Sequence, residues 1–127
     1  MKLHRIMLPA LLGLMLIMQA CSSRRPPDWY TVTGTAGTQV FNPAQARLMA
    51  KRGAIADAQR QLLESAKGIA IKSNTTVQDF MTRNDHIRSR VEGVIRNAEI
   101  LDTRYNPDGT CEVDMRLDMN RIRDTIR

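Results

Sequence analysis

Few side chains in this 127-residue sequence are of a kind that does chemistry, and they are far apart. The histidines are His4 and His86, and the cysteines are Cys21 and Cys111. His4 falls in an apolar opening segment, which leaves His86 beside Asp85. One imidazole without an ordered serine or cysteine partner makes no nucleophilic triad, and His86 reads as an exposed polar residue. Asp57 and Glu64 stand seven residues apart on a helical stretch, so they share a face. Paired-carboxylate chemistry also needs burial and a cleft, which this composition does not promise. Gly34-Thr35-Ala36-Gly37 fits neither the phosphate-loop nor the dinucleotide pattern. Two cysteines exclude a disulfide framework and a cysteine-rich metal site. The sequence therefore predicts no enzyme, no cofactor and no metal. The one residue placed for chemistry is Cys21, a sulfur nucleophile directly after an apolar run.

That run sets the context of Cys21. Lys2 and Arg5 make a short positive start, and Ile6 to Met18 is uncharged over thirteen residues, with Pro9 and Gly13 inside it. A bilayer span needs roughly 20 apolar residues, so the run is short for a transmembrane helix. It matches the core of a secretory signal over residues 1–20, with Gln19 and Ala20 approaching the cleavage point. An uncleaved inner-membrane anchor is the alternative. Ala20-Cys21-Ser22-Ser23 resembles a bacterial lipoprotein signal. The resemblance implies that the Cys21 thiol is acylated, the preceding peptide removed, and the new amino terminus acylated too. Each buried lipid methylene contributes about 0.8 kcal/mol, so several chains together anchor firmly. Ser22 rather than Asp after the cysteine implies the outer membrane by the same resemblance.

Residues 21–28 then read as a lipidated terminus and linker. Pro26-Pro27 favours extended geometry and spaces the domain from the membrane. Arg24 and Arg25 either touch lipid phosphates, worth on the order of 1 kcal/mol each, or belong to a solvated tether.

Removing the signal changes the composition. The whole chain carries a net charge of +6 and is 43% hydrophobic. Cys21 to Arg127 carries +4 and holds 40 apolar residues in 107, ten of them alanine. That suits one small domain, residues 29–127, with a modest core. A nucleic-acid partner, which the basic balance invites, is rejected on two grounds: export removes the chain from nucleic acid, and the charges are interspersed along the sequence.

The elements that must carry this domain read as α+β: one long helix packed on a small, mainly antiparallel sheet, in the order strand, helix, strand, short helix, strand, strand. Trp29 to Val40 has strand composition, with Gly34 and Gly37 as bulge or bend points. Asn42-Pro43 starts a helix that runs to about Lys67, with Gly68 as a left-handed cap. Ala50, Ala54, Ala58 and Ala66 give it a stripe of small residues beside Leu48, Ile55 and Leu62. Small residues let a helix axis approach a sheet closely; a helix–helix dimer face is the alternative. Ile69 to Val77 alternates as a second strand, and Asn84 to Glu92 forms a short helix ended by Gly93. Val94 to Tyr105, a turn at Asn106-Pro107-Asp108-Gly109, and Thr110 to Met119 make a hairpin. In its return strand Cys111, Val113, Met115, Leu117 and Met119 fall on one face, and Glu112, Asp114, Arg116 and Asp118 on the other. Cys111 is thus read as a small hydrophobe, with an intermolecular disulfide or redox role as the alternative. Asn120 to Arg127 is a basic tail, read as a fraying terminus rather than a helix.

The order of these features is similar to that of the LPP20 lipoproteins. The likeness is carried by Trp29-Tyr30 with Gly34 and Gly37, Ala46-Arg47 through Ala58 to Leu62-Leu63, Gly68 with Ile69 to Val77, Val91-Glu92-Gly93-Val94, and Asp108-Gly109-Thr110 with Glu112-Val113 and Met115. Within that family the likeness runs to flagellar outer-membrane members. It implies a structural lipoprotein on the periplasmic face of the outer membrane, a homo-oligomer in a ring or disk around the flagellar motor, with other flagellar ring proteins as partners. Cys111 departs from the pattern, and no catalytic residues come with the family. A monomeric envelope module that captures a peptide, glycan or lipid is the rival reading.

Overall fold

A computed structural model describes residues 25–39 and 41–127. Residues 1–24, with Cys21 and the expected signal, lie outside the described residues. Strand β1 (Trp29–Gly37) leads to helix α1 (Pro43–Lys67), then β2 (Ala70–Lys72), β3 (Thr75–Thr76), α2 (Val77–Arg83), α3 (Asp85–Arg96), β4 (Glu99–Tyr105), β5 (Thr110–Asp118) and α4 (Met119–Thr125). The main sheet is antiparallel in the order β1-β5-β4, so the last strand in the chain lies in the middle. β2 and β3 form a separate two-stranded hairpin.

Helix α1 begins where the Asn42 side chain accepts from the Ala44 and Gln45 amides, with Pro43 at the first helical position. Its 25 residues bury Ala50, Ala54, Ala58, Leu62 and Ala66 as one stripe. The stripe lies on β1 and β5, opposite Val32, Cys111, Val113, Met115 and Leu117. Leu62, Met115, Leu117 and Ile122 are each at most 1% exposed. Burying side chains of this size contributes about 1.5–3 kcal/mol apiece, and the alanines contribute less. What the alanines supply is proximity. A Cβ built on Gly34 would stand 2.0 Å from the Ala54 carbonyl oxygen.

The mixed α/β class and small antiparallel sheet agree with the sequence reading, but the element order differs. The described residues hold four helices, not one long and one short. Ile69 to Val77 is not one strand of the sheet. The chain turns at Ser73-Asn74, and Asp79 then accepts from both the Thr76 amide and the Thr76 hydroxyl, which starts α2 at Val77. α3 runs through Gly93 to Arg96, because Val91 and Ile95 are both buried and their packing outweighs one glycine's helix cost of about 1 kcal/mol. β4 accordingly starts at Glu99 rather than Val94. Gly68 has φ −75° and is no left-handed cap. β1 keeps a regular register past Gly34, so that glycine marks close helix approach rather than a bulge. The tail does not fray: α4 buries Met119 and Ile122.

Candidate functional site

Pro26 to Asp28, the segment that leads into β1, meets the domain at a defined place. Four hydrogen bonds fix it, and all reach across about ninety residues of sequence to the β5–α4 junction. The Asp28 amide donates to Asp118 Oδ1 at 2.9 Å, and the Met119 amide donates to the Asp28 carbonyl at 2.8 Å. Asn120 Nδ2 donates to the Pro26 carbonyl at 2.9 Å, and Arg123 donates to the Asp28 carboxylate at 2.8 Å. Asp118 also caps α4 by accepting from the Asn120 amide. Pro26 to Asp28 is therefore pinned to the folded body, so a pull on the amino terminus is carried into the central strand. Of the linker that the sequence places at 21–28, Pro26 to Asp28 are docked, and residues 21–24 lie outside the described residues.

The second feature is the sheet face turned away from α1. It carries Thr31, Thr33 and Thr35 of β1, Glu112, Asp114, Arg116 and Asp118 of β5, and Glu99, Asp102 and Arg104 of β4. Arg104 donates to Asp114, Asp102 and Glu112, and Thr33 Oγ1 donates to Asp114 at 2.6 Å. The Arg104 guanidinium first, and the Thr33 hydroxyl second, hold the Asp114 carboxyl down at about 2. Arg116 donates to Glu99 at 2.8 Å and lies 4.5 Å from the Trp29 ring centroid. These carboxylates are engaged by cations, so the arrangement ties three strands together rather than preparing an acid or base.

The charges that alternate along the sequence separate by face. Five carboxylates and two arginines lie on the open sheet face, whereas α1 carries Arg47, Lys51, Arg52, Arg60 and Lys67 against Asp57 and Glu64.

The residues singled out in the sequence do not assemble. His86 is exposed in the first turn of α3, where its amide donates to Asn84 Oδ1. Asp57 binds Arg60, the Thr35 amide and Gln61, and that company, Arg60 foremost, lowers its carboxyl pKa. Glu64 pairs with Lys67 instead. Cys111 is fully buried, and burial pushes its thiol pKa up, which suits a packing role and not a nucleophile. Cys21 lies outside the described residues. Among the described residues no group of three or more His, Cys, Asp or Glu side chains could hold a metal ion. The clamp at Asp118, Asn120 and Arg123 was missed. An Asp before a helical repeat signals a cap, but nothing in the sequence signals its second role of holding Asp28.

The family model described as LPP20 lipoprotein matches residues 27–118. The chain belongs to the LPP20 lipoprotein family. No match emerged among curated proteins or among solved structures.

Proposed function

We propose that this LPP20 lipoprotein is a structural, non-catalytic subunit, held on the periplasmic face of the outer membrane by acylated Cys21. It self-assembles into a ring or disk at the flagellar motor, beside other flagellar ring proteins, and supports motility. The flagellar part rests on the sequence's resemblance to the lipoprotein FlgP. One observation supports assembly. Trp29, Tyr30, Phe41, Leu48, Met49, Ile100, Leu101 and Tyr105 are each at least 43% exposed, an apolar surplus on a domain whose core stripe is mostly alanine. Attachment through lipid fits the described helices, since none is long and apolar enough to cross a membrane.

A groove favours the second reading, a binding module for a peptide, glycan or lipid. It is an open groove of about 280 Å³ between α1 and α3, lined by Leu63 and Ile95 together with Arg60 and Arg96.

Deletion of the gene decides between them. Loss of swimming with loss of motor-associated density under cryo-tomography supports the flagellar subunit. Normal swimming with normal density sinks it. Cys21→Ser should release the protein from the outer-membrane fraction, and its retention there would show another anchor.

A further inference from the structure

The two edges of the main sheet are treated differently. In β1 two of the backbone groups facing away from β5, at Thr33 and Thr35, are covered from α1. Asp57 Oδ2 accepts from the Thr35 amide at 3.2 Å, and Gln61 Nε2 donates to the Thr33 carbonyl at 2.9 Å. Gln61 also donates to Asp57 at 2.9 Å, so the two caps brace each other. A strand arriving at β1 would have to break both. β4 has no such cover among the described residues. It packs chiefly on β5, and α1 lies over β1 and β5. Ile100, Leu101 and Tyr105 are left 44–45% exposed along it.

The direction of the β4 backbone follows from the hairpin. The Asn106 amide donates to the Thr110 carbonyl at 2.9 Å. Antiparallel pairing alternates, so Arg104 and Asp102 turn their amides and carbonyls toward β5, while Tyr105 and Thr103 turn theirs outward. The Thr103 amide meets only the side chain of its neighbour Asp102, at 2.8 Å on an exposed surface. Such a bond is readily exchanged for a ladder bond.

We propose that β4 is the strand through which two copies of this chain join, antiparallel about Thr103, to make one continuous sheet of six strands. The register is self-complementary. With Thr103 opposite Thr103, Asp102 of each copy faces Arg104 of the other on the polar face, and Leu101 faces Tyr105. Opposite charges in such cross-strand pairs each contribute roughly 0.2–1 kcal/mol. The β-bulge between Ile100 and Asp102 ends the shared ladder at Leu101, so the contact is short. Lipid tethering offsets that, because copies held on one surface meet at high effective concentration. The two caps on β1 oppose a β4-to-β1 chain of copies across Thr33 to Thr35 and favour the two-fold pair, which closes at two copies. This inference rests on the self-assembly reading and names the surface of one step in it, the pairing of two copies; a ring or disk of such pairs uses a second surface.

Crosslinking through an introduced cysteine in the full lipidated chain, where Cys111 is buried, tests it. Cα atoms across a bonded antiparallel pair are about 5.5 Å apart, within disulfide range. Thr103→Cys, mildly oxidised in membranes, should run as a covalent dimer on a non-reducing gel. Ser89→Cys, exposed on α3, should not. Thr103→Pro should keep the fold, since that amide faces away from β5, and should lose the dimer in detergent. If Thr103→Cys crosslinks no better than Ser89→Cys while the protein still forms large particles, the β4 surface is wrong and self-assembly stands. If the wild-type chain is a monodisperse monomer and no crosslink forms, both fall. A Thr103→Pro variant that keeps its particle mass also overturns the edge pairing.

Discussion

Gly34 in β1 and Ala58 in α1 face each other where sheet and helix come close: a Cβ on Gly34 would lie 2.8 Å from the Ala58 Cβ and 2.4 Å from the Ala58 amide nitrogen, with the Ala54 carbonyl oxygen nearer still. The Cβ that Gly34 lacks, and the small side chains of Ala54 and Ala58 opposite it, thus set the spacing of a core that also holds Val32 and Val113.

Gly34→Ala should therefore destabilise the domain by about 2–3 kcal/mol, the scale of overpacking a tight core. Gly93→Ala is the opposite case. Its Cβ meets nothing within 4 Å in a helix interior, so it should stabilise by about 0.5–1 kcal/mol. Urea unfolding of the unlipidated chain measures both. Equal effects of one sign would refute the spacing argument.

Asp118→Ala removes the acceptor shared by the Asp28 and Asn120 amides. It should cost about 1 kcal/mol, typical of losing a helix cap. Hydrogen exchange should quicken at Asp28 and Met119 together. Faster exchange confined to α4 would mean that the amino-terminal segment is held some other way.

Cys111 should ignore a thiol reagent at pH 8 in the native chain and react fully in denaturant, since it is 0% exposed with a raised pKa. Cys111→Ser should destabilise by about 1–3 kcal/mol, because its hydroxyl enters an apolar site. Rapid labelling of folded protein would restore the redox reading.

The Asp114 pair should appear in the acid limb of stability. Its carboxyl titrates at about 2 in the folded chain, against about 3.9 when unfolded. A depressed folded pKa contributes stability that is complete above the unfolded value and is lost as pH falls through the folded one. The stability gap between wild type and Asp114→Asn should thus be constant above about pH 5 and shrink toward pH 2. It should also narrow with salt, because Arg104 is 43% exposed. A gap independent of pH would show that Asp114 acts through shape and not charge.

Much of the fold was legible because some signals are local. The alternation in Thr110 to Asp118 is a two-residue period that only a half-buried strand satisfies, and all of its apolar positions are buried. Asn42-Pro43 and the alanine stripe fixed α1 to the residue at its start. Local signals failed where packing chose between competing ones. Gly93 reads as a stop, yet burial of Val91 and Ile95 carries α3 past it. Ile69 to Val77 alternates like a strand, yet one Asp79 carboxylate on Thr76 starts a helix there.

The sequence by itself determined that an uncharged apolar run stands before Cys21, that the domain mixes α and β, and that the chain belongs with the LPP20 lipoproteins. These are properties of order and composition. Only the tertiary structure decided that β5 lies between β1 and β4, that Asp28 is clamped at Asp118 and Arg123, and that β1 is capped at Thr33 and Thr35 while β4 has no such caps among the described residues. Each depends on groups many residues apart meeting at hydrogen-bond distance. Residue spacing along a chain does not display that; the packed strands and helices bring those groups together.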